Sequence, residues 1–184
     1  KSIRAAVIFF NSGYGIPILL GREQKIYKTM AALGLPSIDG LEIHNAKLSK
    51  ANKYYTEFLY ERLQRKGALY RDCQRMVNQD RNLFAACMVA MGNADAMLTG
   101  LTRNYYVSLN EITKVLDPLP NEHIFGLSLL LARDRTIFVA DTAVHELPNA
   151  EQLADFAIQT ASVARRMGHE PRVALLSFSN FGNP

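Results

Sequence analysis

Short apolar runs alternate with longer helical patterns along this chain, and this alternation most limits the folds open to it. Short runs bounded by glycine or polar residues predict buried strands, and they lie at 16–20, 41–43, 95–98 and 172–178. Apolar side chains recur at helical spacing in 2–12, 22–33, 48–66, 71–91, 105–116 and 149–167. Helices that alternate with strands predict an α/β protein with a layered sheet. At the last helix, Asn149 with Gln152 three positions later predicts a capping box.

A proline-rich break divides the chain into two predicted domains. The segment 117–121 reads Asp-Pro-Leu-Pro-Asn, which no helix or strand accommodates. We therefore predict one α/β subdomain over 1–118 and a second, partial one over 119–184. In the second, the apolar runs 124–131 and 136–140 are separated by three charged residues, which predicts a hairpin and a sheet that is not purely parallel.

Composition excludes several classes of protein. Of the 184 residues, 48% are apolar, which is far too many for a disordered chain, yet no apolar run reaches the length of a membrane span. The formal net charge of +4 slightly favours a small anionic ligand and does not require a nucleic acid. Cys73 and Cys87 predict packed, reduced thiols, and the four separated histidines predict no metal site. No signal peptide is evident, so we expect a cytoplasmic location.

Both ends of the sequence have the pattern expected inside a longer chain. The chain begins with Lys1 and enters a helical pattern at once, and it ends soon after a predicted strand, where an α/β protein would start another helix. We therefore expect a piece of a longer polypeptide, with its C-terminal part truncated. Such a piece should expose sheet edges, and should associate with copies of itself or be only marginally stable.

Three loops at predicted strand ends carry the candidate ligand contacts, because α/β proteins bind ligands there. The first, 99–104, offers hydroxyls, backbone N–H groups and a guanidinium to an anion. For each of the three loops, an ordinary turn or capping role is about as plausible as ligand binding. The basic residues of 62–81 are more simply explained as a solvated helix face than as a surface for a polyphosphate. The candidate binding residues are Thr99, Gly100, Thr102, Arg103, Asn104, Asp141, Ser177, Ser179 and Asn180. No residue is predicted to be catalytic.

Three stretches in this order resemble the phosphate acetyl/butyryltransferase family. They are AACMVAMGNADA at 85–96 with Thr99-Gly100, FVADTAV at 138–144, and VALLSFS at 173–179. The resemblance implies a three-layer αβα, isocitrate-dehydrogenase-like fold, in which two subdomains flank a cleft that binds coenzyme A and acetyl phosphate. Because Arg103, Asn104, Asp141 and Ser179 all lie at predicted strand ends, we expect them to converge on one cleft between the two halves.

A closer resemblance is to one subgroup, the phosphotransacetylase-like C-terminal domain of hybrid bacterial NADP-dependent malic enzymes. RDCQRMVNQDRNLF at 71–84 and TRNY at 102–105 carry it. It implies a regulatory domain that binds acetyl-CoA or coenzyme A and forms a homo-oligomer, with no nucleic-acid or membrane partner. The parent enzyme would decarboxylate malate to pyruvate, with NADP and a divalent metal on an N-terminal part absent from this sequence.

The sequence departs from the active transferases where they carry charge. Asn110 and Leu63 stand where they have arginines, Phe181 stands where they have a lysine, and their C-terminal Ser-Arg and Asp motif is absent. A lost guanidinium removes bidentate phosphate contacts. These departures favour a regulatory domain over an active acyltransferase, which remains the alternative. A third possibility is a pure assembly scaffold, which would bind no coenzyme A.

Overall fold

The computed structural model describes residues 1–36, 40–100 and 102–176, and the chain is an α/β protein, as the sequence predicts. It divides into two compact units, Lys1–Asp117 and Pro118–Pro184, which are described separately. The helices are Ser2–Asn11 (α1), Glu23–Ala32 (α2), Asn52–Leu63 (α3), Tyr70–Gln79 (α4), Arg81–Ala90 (α5), Tyr105–Thr113 (α6) and Ala150–Arg166 (α7). The strands are Ile18–Leu20 (β1), Glu42–His44 (β2), Leu127–Leu131 (β3) and Thr136–Ala140 (β4). A 3-10 turn, Gln64–Lys66, extends α3.

The core of the first unit lies where α3, α4 and α5 pack together. Leu59, Val77, Leu83 and Phe84 are all 0–1% exposed there, one or two from each helix. Full burial of such a side chain is worth roughly 1.5–3 kcal/mol. Tyr55 packs edge-on against Phe84, with 5.1 Å between the ring centroids. This helical layer is therefore the rigid part of the unit.

A parallel pair of strands completes the first unit. β1 and β2 pair in register from Ile18 opposite Glu42 to Leu20 opposite His44. Parallel neighbours need a crossover, and α2 supplies it, so β1, α2 and β2 form a βαβ element. Both cysteines, Cys73 and Cys87, are free and buried, as predicted, and burial raises the pKa of the Cys87 thiol to about 12. No helix in the described part of the chain is long and apolar enough to cross a membrane.

The predicted single helix over 71–91 is wrong, because the helix breaks at Asp80. The backbone of Asp80 is extended, with φ −102° and ψ 115°, so α4 ends at Gln79 and α5 begins at Arg81. Asp80 Oδ1 accepts hydrogen bonds from the backbone N–H groups of Asn82 (2.8 Å) and Leu83 (3.1 Å). Aspartate is among the best N-cap residues because it satisfies these otherwise unpaired donors.

Two of the predicted strands are also corrected. Residues 95–98 form no strand, and Leu98 is fully exposed. Residues 172–176 are likewise exposed and irregular, while 177–178 lie outside the described residues. A strand needs a neighbour to take up its backbone N–H and C=O groups, and neither segment pairs with a described strand. α1 begins at Ser2, with Lys1 as its N-cap residue.

The second unit contains the predicted hairpin and the last helix. β3 and β4 pair antiparallel, from Leu127 opposite Ala140 to Leu131 opposite Thr136. α7 begins with the predicted capping box. The Gln152 N–H donates to Asn149 Oδ1 and the Asn149 N–H donates to Gln152 Oε1, both at 2.9 Å. Phe156 of α7 is buried and stacks on Phe125 with 5.3 Å between the ring centroids.

The capping box yields a stability prediction. Asn149→Ala removes the side-chain acceptor at the start of α7 and should lower the free energy of unfolding by about 1 kcal/mol. Urea denaturation followed by circular dichroism measures the change. Asn149→Asp keeps an acceptor and is the matched control, which should stay near the wild type. Equal losses in both variants would contradict a capping role.

Candidate functional site

The first candidate loop, 99–104, is held at both ends by hydrogen bonds within the first unit. The Thr99 hydroxyl donates to Asn82 Oδ1 at 2.6 Å, and Asn82 Nδ2 donates to Ser108 Oγ at 3.2 Å. Asn82 and Ser108 are buried, so this chain ties the loop to α5 and α6. Gly100 has φ +121°, which few side-chain-bearing residues adopt. Thr102 is exposed.

The two polar residues at the end of this loop are engaged by the protein itself. Arg103 Nη1 donates to Asp80 Oδ2, the oxygen of Asp80 that does not cap α5. Asn104 Oδ1 accepts from the Tyr106 N–H at 2.9 Å and so caps α6. The guanidinium expected to serve an anion thus already has a partner, and so does the Tyr106 N–H group at the start of α6. The loop is a structured junction among α4, α5 and α6.

The second candidate, Asp141, lies at the end of β4 and anchors its own loop. Its side chain is 1% exposed. Oδ1 accepts from the N–H groups of Gly126 (2.7 Å), Ala143 (3.0 Å) and Val144 (3.1 Å). Oδ2 accepts from the His145 N–H at 2.7 Å and lies 2.9 Å from His145 Nδ1. This carboxylate therefore has the turn-forming role that the sequence left open beside ligand binding.

The environment of Asp141 keeps it ionised. Burial alone would raise the pKa of this carboxyl, but the hydrogen bonds, led by those from the Ala143 and Gly126 backbones, outweigh burial and hold it well below its usual range. Gly126 is required for this contact. A Cβ there would lie 3.0 Å from Asp141 Oδ1 and 2.8 Å from Thr142 Oγ1, which is closer than side chains normally approach.

Two histidines of the second unit, which the sequence did not single out, share one aromatic ring. His145 and His123 both pack against Phe156, with ring centroids 5.1 and 6.3 Å from it. His123 Nδ1 lies 2.9 Å from Asp155 Oδ2, as His145 Nδ1 does from Asp141 Oδ2. The spacing of Asp141 and His145 at i and i+4 was the available signal. These contacts tie the segments at 123–126 and 141–145 to α7.

A pocket in the first unit contains two of the three positions at which the resemblance implies a departure from the transferases. Leu63 and Asn110 both line it, together with the aliphatic Met76. Lys66 and Lys114 are its cationic members, and the Lys114 ammonium is 3.0 Å from Glu111 Oε1. The full lining is Leu63, Lys66, Gly67, Ala68, Met76, Asn110, Thr113 and Lys114.

Two of the basic residues on α3 and α4 have structural partners. Arg62 donates from Nη2 to both carboxylate oxygens of Asp117, at 2.8 and 2.9 Å, and so fixes the last residue of the first unit to α3. Arg75 pairs with Asp72 at 3.3 Å on its own helix. These pairs agree with the interpretation of this face as solvated rather than as a polyphosphate surface.

The predicted site residues are only partly described by the structure. Thr99, Arg103 and Asn104 belong to the first unit and Asp141 to the second, so their convergence stays a prediction. Within the described ranges, no group of three histidine, cysteine or acidic side chains forms a metal site. Ser177, Ser179, Asn180 and Phe181 lie outside the described residues.

The fold and these loops define the class of protein. The chain belongs to the family described as phosphate acetyl/butaryl transferase, which matches residues 1–184. The crystal structure of a phosphotransacetylase from Streptococcus pyogenes is similar to it, with a TM-score of 0.88 and 26% identity over 99% of this chain and 55% of that one. The resemblance predicted from the sequence is confirmed.

Two curated relatives have higher sequence identity. The NADP-dependent malic enzyme of Rhizobium meliloti is 50% identical over 186 residues, which is 100% of this chain and 24% of that enzyme. A probable NADP-dependent malic enzyme of Rickettsia prowazekii is 49% identical over 182 residues, which is 98% of this chain and 24% of that protein. The chain thus spans about a quarter of the length of these relatives.

The depressed pKa of Asp141 makes the stability of the second unit depend on pH. The folded pKa of Asp141 lies below the ordinary value of 3.8. The stabilisation from its hydrogen bonds is therefore complete above about pH 5, and it is lost as pH falls through 3.8 and then through the lower folded pKa. Asp141→Asn should cost about 3 kcal/mol near neutral pH and flatten the acid limb of the stability curve.

Denaturant midpoints between pH 2 and 7 measure this effect. Asp134, which is 79% exposed, is the matched control, and Asp134→Asn should leave both the midpoint and the acid limb unchanged. An Asp141→Asn curve parallel to that of the wild type over the whole range would contradict the assignment.

Proposed function

We propose that this chain is the phosphotransacetylase-like domain of an NADP-dependent malic enzyme, that it binds acetyl-CoA as a regulator and that it assembles the enzyme into a homo-oligomer. The parent enzyme would decarboxylate malate oxidatively to pyruvate. The observation that carries the proposal is the 50% identity, over the whole chain, to a segment that makes up 24% of such an enzyme. A match of that extent favours a shared role for the segment within the longer protein.

The pocket of the first unit supports a regulatory role over a catalytic one. The family resemblance places arginines of the transferase cleft at Leu63 and Asn110, and both of these residues line this one pocket. Its cationic members are Lys66 and Lys114, whose ammonium groups cannot give the planar, bidentate contacts that a guanidinium gives to phosphate. The pocket retains positive charge suited to holding an anion but lacks the donors that stabilise a phosphoryl-bearing transition state.

The candidate loop supplies further contacts for a coenzyme. Arg103 is half-exposed, and Tyr105 and Tyr106 beside it are 51% and 71% exposed. A guanidinium suits the phosphates of coenzyme A, and an exposed aromatic ring suits its adenine. As the resemblance implies, the proposal places NADP and the divalent metal on another part of the parent. Two free, buried cysteines agree with a reducing, cytoplasmic setting.

The proposal predicts a response of the intact enzyme to acetyl-CoA. In the full-length polypeptide, acetyl-CoA should change the rate of malate-dependent NADP reduction and should shift the sedimentation profile of the oligomer. Arg103→Gln should weaken the response about tenfold, because a charge-assisted contact to phosphate is lost. Arg75→Gln, which removes an arginine from the exposed face of α4, is the matched control and should respond as the wild type does. An enzyme that neither binds acetyl-CoA nor responds to it would contradict the proposal.

The alternative is an active phosphate acetyltransferase, which the TM-score of 0.88 to the Streptococcus pyogenes phosphotransacetylase favours. We expect no transfer of acetyl groups between acetyl phosphate and coenzyme A above the blank. Each missing transition-state donor should cost about 3 kcal/mol, or about a hundredfold in rate. A thiol-coupled assay measures turnover, with an active phosphotransacetylase as the positive control. Turnover that Asn110→Ala abolishes would establish this alternative instead.

A further inference from the structure

Asp80 divides its two carboxylate oxygens between two tasks. Oδ1 accepts the Asn82 and Leu83 N–H groups at the start of α5, whereas Oδ2 accepts a hydrogen bond from the Arg103 guanidinium. The Asp80 side chain is 18% exposed and that of Arg103 is 41% exposed. The arginine therefore reaches from solvent onto a carboxylate that the fold already holds in place.

We propose that Asp80 acts as an internal competitor for a phosphate group, holding Arg103 until a coenzyme A phosphate displaces the carboxylate. This inference rests on the proposed function, since it names how the same loop takes up its ligand. A phosphate offers the planar fork of Arg103 the same kind of charge-assisted contact that Asp80 Oδ2 offers. The ion pair thus sets the affinity of the loop for its ligand.

Releasing Arg103 leaves no uncompensated buried charge. Asp80 keeps two backbone N–H groups and the favourable end of the α5 dipole after the arginine leaves, so its carboxylate still has hydrogen-bond partners. Breaking most buried ion pairs is costly because one partner is left unpaired. Here that cost is small, which is what an exchange of partners requires.

The surroundings of Arg103 are fixed, so the exchange needs only a side-chain movement. The Thr99 hydroxyl and the Asn104 cap hold the loop on either side through α5 and α6. Both contacts are made by groups other than the guanidinium and persist when it moves. Rotamer changes of an exposed arginine are fast and cost little. The backbone loop acts as a frame, and Arg103 is a donor within it that can change partner.

The test uses the full-length polypeptide and isothermal titration with acetyl-CoA. Asp80→Asn keeps a good N-cap for α5 but removes the charge that competes for Arg103, so acetyl-CoA should bind three- to fivefold more tightly. Asp80→Ser also keeps an N-cap for α5 and should tighten acetyl-CoA binding in the same way. Agreement between the two variants would exclude a folding defect in only one of them. Asp72→Asn is the matched control, because it removes the same charge from the Arg75 pair on α4 and should leave the affinity unchanged.

A second titration with inorganic pyrophosphate separates failure of this inference from failure of the proposed function. If the wild type binds acetyl-CoA and the Asp80 variants bind it equally or more weakly, Asp80 is no competitor and the inference is overturned while the proposed function stands. If acetyl-CoA binds to no variant but pyrophosphate binds the Asp80 variants more tightly than Asp72→Asn, the competition stands and the proposed ligand is wrong. If neither probe binds any variant, both fall.

Discussion

The carboxylate of Asp80 is the constraint on which the first unit depends. By ending α4 and capping α5, it sets the direction in which α5 enters the core and brings Leu83 and Phe84 onto α3. Its second oxygen fixes Arg103 and thereby the loop before α6. The position of one short side chain thus links the helical layer that supplies most of the buried surface with the loop that carries the candidate ligand contacts. The packing of the helices and the position of the candidate loop therefore depend on the same carboxylate.

Elements whose signals are local could be predicted from the sequence, and elements that need a distant partner could not. The α7 capping box and the β3–β4 hairpin each follow from residues a few positions apart. The break at Asp80 was missed because the apolar spacing of 71–91 continues through it, although an aspartate before a buried helical segment is itself an N-cap signal. Residues 95–98 show that an apolar run forms a strand only where a neighbouring strand pairs with it.

For the candidate site, the family and the three loops could be predicted from the sequence. The hydrogen-bond partners of the side chains in those loops could not. Arg103, Asn104 and Asp141 are typical ligand-binding residues, and each is already paired with a group of this chain. Polar and charged side chains that suit a ligand equally suit helix ends and turns. A helix end or a turn offers them unpaired backbone N–H groups or a charged neighbour in place of the ligand. The pocket with Leu63 and Asn110 is more informative, since the resemblance implies that the family carries arginines at these two positions.

The contacts of Asp141 also have a consequence for how the second unit opens. Four amide protons, those of Gly126, Ala143, Val144 and His145, end on one carboxylate, although all four lie outside helices and strands. Solvent reaches any of them only when this carboxylate leaves its place, so their deuterium uptake should occur together and slowly. An irregular segment then reports the same cooperative opening as a strand would. At these four amides, protection from exchange marks a shared acceptor and not a repeating backbone ladder.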